Sequence, residues 1–146
     1  MSAFPNSDAH PRFGAHRAKV LVAEDHDDTR FMLRTLLEQR GFSVVEAGDG
    51  LEAVDAAERE CPDLILMDGS LPLLDGIAAT RRMRCLPALS GVPIVFISGH
   101  ASMQHQTAAL DAGCDDYVVK PFDLARIDTV LTRHLSGRRG GRTGIH

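Results

Sequence analysis

The sequence predicts an α/β fold: a doubly wound (βα)5 sandwich with a parallel five-stranded sheet in the order 2-1-3-4-5. Three observations predict it. Five short apolar runs alternate with five segments of helical periodicity. The runs are nearly all apolar rather than alternating, as strands covered on both faces are. Parallel strands are joined by right-handed crossovers, which makes a doubly wound sheet the economical arrangement, and a closed barrel would need about three further units.

The elements follow in order. AKVLVA (18–23) reads as the first strand. The segment 27–41 follows as a helix, with Phe31, Leu33, Leu36 and Leu37 at helical spacing and Gly41 as its stop. FSVVEA (42–47) is the second strand. The helix over 49–60 carries Leu51, Val54 and Ala57 on one face and ends before Pro62. DLILMD (63–68) is the third strand and 74–85 the third helix. PIVFIS (93–98) is the fourth strand, followed by a helix over 102–113 closed by Gly113. DYVVK (116–120) is the last strand. The last helix, 123–135, has the apolar face Leu124, Ile127, Val130 and Leu131. Residues 1–16, with Pro5, Pro11 and Gly14, read as a disordered leader, 17–135 as the domain, and 136–146 as a flexible basic tail.

Bulk properties narrow the function. A chain of 146 residues points to one domain. Its net charge is −4, but residues 17–135 hold 12 bases against 19 acids. An acidic body argues against direct contact with nucleic acid, which needs a basic face. It suits a site that gathers carboxylates around a divalent cation. Cys61, Cys85 and Cys114 are odd in number and form no C-x-x-C pair, so they read as free thiols of a reducing compartment. No apolar run approaches the ~20 residues of a membrane span, and the N-terminus lacks the features of a secretory signal. The expectation is a cytoplasmic protein with no membrane contact.

In open α/β sheets ligands bind beyond the carboxyl ends of the strands, where strand order reverses. Four of the five strands end in a polar group here. Strand one ends in Glu24-Asp25, strand three in Asp68, strand four in Ser98 and strand five in Lys120. Strand two, the edge strand of the 2-1-3-4-5 order, lacks one. Three carboxylates on one rim repel one another unless a cation intervenes. Lys120 supplies one positive charge. Mg2+ supplies two, with Mn2+ as an alternative, and takes oxygen ligands. The arrangement predicts phosphoryl chemistry: Asp68 as nucleophile forming an acyl phosphate, with Asp25 and, more loosely, Glu24 holding the metal. Lys120, the Ser98 hydroxyl and backbone N–H groups neutralise the remaining phosphoryl oxygens.

From about Lys19 to Leu135 the sequence resembles the receiver domains of bacterial two-component response regulators, the CheY-like family with its flavodoxin-like fold. The resemblance is carried by Glu24-Asp25, by PDLILMD ending at Asp68, by Pro72, by Asp75-Gly76, by Ser98 after PIVFI, and by Lys120-Pro121-Phe122. It implies a phosphorelay role. Asp68 would be phosphorylated by a histidine kinase or histidine phosphotransfer protein. Asp25, Asp68 and the backbone carbonyl of Ser70 would bind the metal, with Glu24 acting through water. Ser98 would move toward the phosphoryl group and Tyr117 turn inward with it, switching the face of helix 4, strand 5 and helix 5. A downstream protein or fused output domain would read that face. The Lys120–Pro121 bond would be cis. The domain would not be an enzyme on other substrates: it would catalyse only its own phosphotransfer and autodephosphorylation.

The sequence departs from the family pattern at three places. Glu24 is one methylene longer than the more frequent Asp. Gly69 and Gly99, after Asp68 and Ser98, lack side chains that could shield the phosphoryl group. Ser70 and His100 occupy the positions that tune phosphate lifetime. Two competing readings are weaker. A phosphatase of the haloacid-dehalogenase type places a second Asp two residues after the nucleophile, where this chain has Ser70. A degenerate receiver would have lost one of the acids, the hydroxyl or the lysine, and all are present. Of the histidines, His26 reads as the exposed start of the loop into the first helix, and His105 as solvated.

Overall fold

The computed structural model of the chain describes residues 12–13 and 16–136. Five strands form one sheet: β1 (Lys19–Ala23), β2 (Ser43–Ala47), β3 (Leu64–Asp68), β4 (Ile94–Ser98) and β5 (Asp116–Val119). All neighbours are parallel and the order is β2-β1-β3-β4-β5, the predicted 2-1-3-4-5. The helices are α1 (Asp27–Gln39), α2 (Gly50–Glu60), α3 (Gly76–Arg84), α4 (Met103–Ala112) and α5 (Leu124–Leu131), the last continued by a π-helical turn over Thr132–Ser136. Ahead of the sheet, Arg12–Phe13 pairs antiparallel with His16–Arg17. Of the expected leader only residues 12, 13 and 16 are described, and they belong to this pairing. The expected tail beyond residue 136 lies outside the described residues.

Side chains alternate between the two faces of the strands, and the core divides accordingly. Leu21, Ala23, Ile65, Met67, Ile94 and Phe96 pack with residues of α2, α3 and α4, among them Ala53, Ala57, Met83 and Ala109. Val20, Val22, Leu64, Leu66, Val95 and Ile97 pack with Leu33, Leu36 and Leu37 of α1 and Ile127, Val130 and Leu131 of α5. Each fully buried Leu or Ile contributes about 1.5–3 kcal/mol of transfer free energy, so this two-sided core is what holds the strand ends level.

Three apolar residues expected in the core lie outside it. Phe31 is 69% exposed, Leu51 46% and Leu124 47%. Each falls within the first five residues of its helix. Phe31 and Leu51 stand two positions before the buried Leu33 and Ala53, which turns them to the opposite side of their helices, and Leu124 shares the buried face of α5 but is its first residue. In α2 the buried face is made by Ala53, Ala56 and Ala57 instead.

Register brings the strand ends to one level. Ala23 sits opposite Ala47 and Met67, Asp68 opposite Ile97, and Ser98 opposite Val119. The helix starts are fixed there by side-chain caps: Asp49 on α2, Asp75 on α3, Ser102 on α4 and Asp123 on α5 each accept a backbone N–H. The exception is α1. Its N-cap residue, His26, makes no side-chain cap bond, because its ring is engaged at the rim.

Candidate functional site

Glu24 follows β1, and its backbone N–H donates to the Ala47 carbonyl at 3.0 Å, which ties the start of the loop to β2. Its side chain turns inward and is 2% exposed. Asp68 ends β3 and is 4% exposed, and Ser98 ends β4 fully buried. Lys120 follows β5, its N–H bonded to the Ser98 carbonyl at 2.8 Å. The Lys120 ammonium lies 3.1 Å from Glu24 Oε1 and 3.7 Å from Asp68 Oδ1, so it bridges the two buried acids. The Lys120–Pro121 peptide is cis.

Asp75-Gly76 has a steric explanation. Asp75 caps α3 through the Ala78 N–H at 2.8 Å. A Cβ on Gly76 would stand 2.6 Å from the Asp68 carbonyl oxygen and 3.0 Å from Gly69 Cα. The helix start therefore presses against the backbone that carries Asp68, and only glycine permits it.

One oxygen or nitrogen from each of Glu24, Asp25, His26 and Asp68 falls within a 4.8 Å group. Asp25 Oδ1, 3.3 Å from the His26 ring nitrogen, and Asp68 Oδ2, near no such donor, are buried and accept no hydrogen bond. An unpaired buried carboxylate oxygen is costly. Hard oxygen donors in this arrangement fit a small divalent cation. The residues present thus suit Mg2+ on chemical grounds.

The electrostatics are uneven. Burial pushes the Asp68 carboxyl up to about 6, against the Ser70 N–H at 3.1 Å and the Lys120 charge, and with help from Glu24. Burial also acts on Glu24, but hydrogen bonds from the His26 backbone and ring and from Lys120 outweigh it and hold this carboxyl below the usual Glu range. The site's one ammonium and the His26 ring thus serve Glu24 first, and Asp68 is left under-compensated.

His26 is the exposed start of α1, as expected, though it also touches the acids, whereas His105 differs from expectation. The His26 side chain is 71% exposed, yet its N–H and Nδ1 reach Glu24 Oε2 at 3.0 and 2.9 Å. Its bond to Glu24 and the nearby Asp25 charge raise its pKa. The acidic pair draws the ring in, so His26 belongs to the rim. His105 is half-buried rather than solvated. Its Nδ1 lies 2.5 Å from the Tyr117 hydroxyl, and its ring stacks on His100 at 4.6 Å between centroids. The sequence reading missed it because a lone histidine in a helix carries no periodic signal.

The space beside Asp68 also differs. A Cβ on Gly99 would meet nothing within 4 Å, as an unshielded position should. A Cβ on Gly69, by contrast, would stand 3.2 Å from Ser98 Oγ and 3.3 Å from His105 Cε1. The gap left by Gly69 is bordered by Ser98 of β4 and His105 of α4. Ser98 Oγ accepts the His100 N–H at 3.1 Å. The Tyr117 hydroxyl donates to the His100 carbonyl at 2.8 Å, and its ring stacks on Phe96. Ser98, His100 and Tyr117 are thus joined, and Ser70 is joined to Asp68 by its N–H.

Comparison with known proteins places this geometry. Residues 20–132 match the family model of the response regulator receiver domain. The transcriptional regulatory protein PrrA of Mycobacterium tuberculosis is 37% identical over 127 residues, covering 87% of this chain and 53% of PrrA. The transcriptional regulatory protein CseB of Streptomyces coelicolor is 39% identical over 133 residues, covering 88% of this chain and 56% of CseB. The chain spans about half the length of the curated relatives it matches. Among solved structures, the receiver domain of the sensor histidine kinase PA1611 from Pseudomonas aeruginosa, with a magnesium ion coordinated in its active-site cleft, is similar at TM-score 0.77 and 35% identity, over 82% of this chain and 98% of that one. The chemotaxis protein CheY4 of Vibrio cholerae gives TM-score 0.77 at 28% identity, over 81% of this chain and 98% of that one. A five-stranded sheet in 2-1-3-4-5 order, acids at the ends of β1 and β3, a hydroxyl at β4, a lysine at β5 and the family match lead to one conclusion: the chain belongs to the response regulator receiver domain family.

Proposed function

We propose that Asp68 accepts a phosphoryl group from a phosphohistidine. The observation that carries this reading is the buried Asp68 carboxylate, whose Oδ2 has no partner while Lys120 stands 3.7 Å from its Oδ1. With its pKa near 6, Asp68 is mostly ionised at pH 7 and needs no general base. An Asp68 oxygen bonds to phosphorus as the phosphorus–nitrogen bond of the donor breaks, and the imidazole leaves with the bond's electron pair. Lys120 and the Ser98 hydroxyl neutralise the phosphoryl oxygens on the β4–β5 side.

On this reading Asp25, Asp68 and the Ser70 carbonyl hold Mg2+ or Mn2+, with Glu24 acting through water. The metal supplies charge neutralisation to the transferring phosphoryl group. That the magnesium-bound structure of the PA1611 receiver is 35% identical supports the assignment. Ser70 and His100 flank the approach of water to the acyl phosphate and set its lifetime.

The donor is a histidine kinase or a histidine phosphotransfer protein, and the reader is a downstream protein or a fused output domain. Ser98 and Tyr117 transmit the change to α4, β5 and α5, where Met103, Leu110 and Val119 are exposed. The domain acts on its own acyl phosphate and on no other substrate, and it works in the cytoplasm without direct contact to nucleic acid or membrane. Among the described residues no helix is long and apolar enough to cross a membrane.

The test is beryllofluoride binding followed by NMR. Mg2+-dependent shifts at Tyr117 and across residues 100–112 are expected in the native chain and absent in Asp68→Asn. Identical spectra for the two chains would reject the proposal.

A further inference from the structure

A side chain at Gly69 would press on Ser98 and on the histidine of α4. Any side chain on Gly69 would meet Ser98 Oγ at 3.2 Å and His105 Cε1 at 3.3 Å. These are closer than ordinary contacts, so the Ser98 hydroxyl or the His105 ring would have to give by a few tenths of an ångström. His105 therefore reaches from α4 over the residue next to Asp68 and closes that side of the pocket.

The same ring holds Tyr117. The tyrosine hydroxyl has one hydrogen, and the His100 carbonyl takes it at 2.8 Å. The contact of 2.5 Å between that hydroxyl and His105 Nδ1 then requires hydrogen on Nδ1, with His105 as donor. Burial and the neighbouring His100 hold the His105 pKa below the usual range, which suits a neutral ring. The ring also stacks on His100 at 4.6 Å, and His100 is tied to Ser98 by its N–H at 3.1 Å. One side chain thus touches three things that matter to a switch: the gap beside the acceptor, the aromatic residue and the β4–α4 segment.

We propose that His105 is a positioning residue that latches Tyr117 toward the pocket, and that Gly69 is glycine so that the latch can sit there. The latch itself is a property of the unphosphorylated chain. Its effect on switching rests on the receiver reading above. Loss of one net hydrogen bond shifts a local equilibrium by about fivefold, so removing His105 releases Tyr117 to a comparable extent.

The chain has one tyrosine and no tryptophan, so tyrosine emission reports Tyr117 alone. In the metal-free full chain, His105→Ala raises acrylamide quenching of that emission. His105→Gln, whose amide N–H can donate, restores part of the protection. Gly69→Ala raises quenching because its Cβ crowds the ring, and it adds nothing in the His105→Ala background. Urea unfolding of each variant checks that the fold persists. Unchanged quenching in His105→Ala, or effects of the two substitutions that simply add, would overturn the latch.

A second arm adds Mg2+ and beryllofluoride, with binding followed by fluorine NMR. The Tyr117 response grows in His105→Ala, because the released ring has further to turn inward, whereas a response equal to that of the native chain would overturn the coupling. If the native chain itself fails to bind beryllofluoride, the receiver reading fails while the metal-free quenching still decides the latch.

Discussion

Two groups of acids lie at opposite ends of the same sheet. At the amino end of β5, Asp116 receives Arg133 at 2.6 Å and His134 at 3.1 Å, with Arg126 at 3.5 Å and the Tyr117 N–H at 2.9 Å. Burial opposes its ionisation, but these donors outweigh burial and hold its pKa below the usual Asp range. At the carboxyl rim, Asp68 is more deeply buried and shares one ammonium with Glu24. Its Oδ2 accepts no hydrogen bond, the neighbouring Asp25 Oδ1 has only the His26 ring nitrogen at 3.3 Å, and the Asp68 pKa rises to about 6. The Asp116 group ties the end of α5 to the sheet and is electrostatically complete. The Asp68 group is incomplete, which is what the proposed binding of a cation and a phosphoryl group requires.

The largest expected difference is chemical. Asp68→Asn abolishes Mg2+-dependent phosphorylation by a phosphohistidine donor, whereas Asp116→Asn leaves it intact, as a mobility-shift gel for phosphoprotein would show. Next comes the metal. At about a hundred times its Kd, Mg2+ stabilises the native chain by about 2.7 kcal/mol. Asp25→Asn loses most of that gain and Asp116→Asn keeps it, as measured by urea unfolding with and without Mg2+.

The third difference is in the metal-free fold. An Asp raised from 3.8 to about 6 favours folding when protonated. Its contribution is complete below the unfolded value and is lost as pH rises through the folded one. Metal-free native chain therefore weakens relative to Asp68→Asn between pH 3.8 and about 6, by about 1–3 kcal/mol, with no further divergence above that window. The Asp116 contribution has the opposite sign: it is present above the ordinary Asp range and lost as pH falls through its lowered folded pKa. Asp116→Asn is the smallest effect, a loss of about 1 kcal/mol at pH 7, since Arg133 is half exposed and screened. Urea titrations of the three chains at several pH values separate these slopes, and parallel slopes would remove the contrast.

Much of this arrangement was legible in the sequence. The five apolar runs marked the strands because both faces of a parallel sheet are covered, and the polar residue ending each of four runs marked the rim. Helix faces were less legible. Phe31 and Leu51 are large and apolar, yet the buried faces run through Leu33, Leu36 and Leu37 and through Ala53, Ala56 and Ala57, and only Leu124 is in phase with its buried face and exposed because it opens the helix. Within the site, Glu24, Asp25, Asp68, Ser98 and Lys120 were found because each terminates a strand. His26 was read correctly as exposed, but its bonds to Glu24 and the half-buried place of His105 were not legible, because both depend on other segments. The acids that hold His26 are its chain neighbours, yet their inward turn is set by β2 and Lys120. The gap that admits His105 is at Gly69, 36 positions earlier in the chain. The only available signal was that absent side chain, which read as open space and proved to be bordered by Ser98 and His105.

The central claim is that the under-compensated carboxylate at the rim is the acceptor. Intact-mass spectrometry of the full chain after incubation with acetyl phosphate tests it most directly. A gain of one phosphoryl group that requires Mg2+, disappears in Asp68→Asn and persists in Asp116→Asn is the predicted result. A phosphoryl gain that survives in Asp68→Asn, or no gain in the native chain with Mg2+ present, would contradict it.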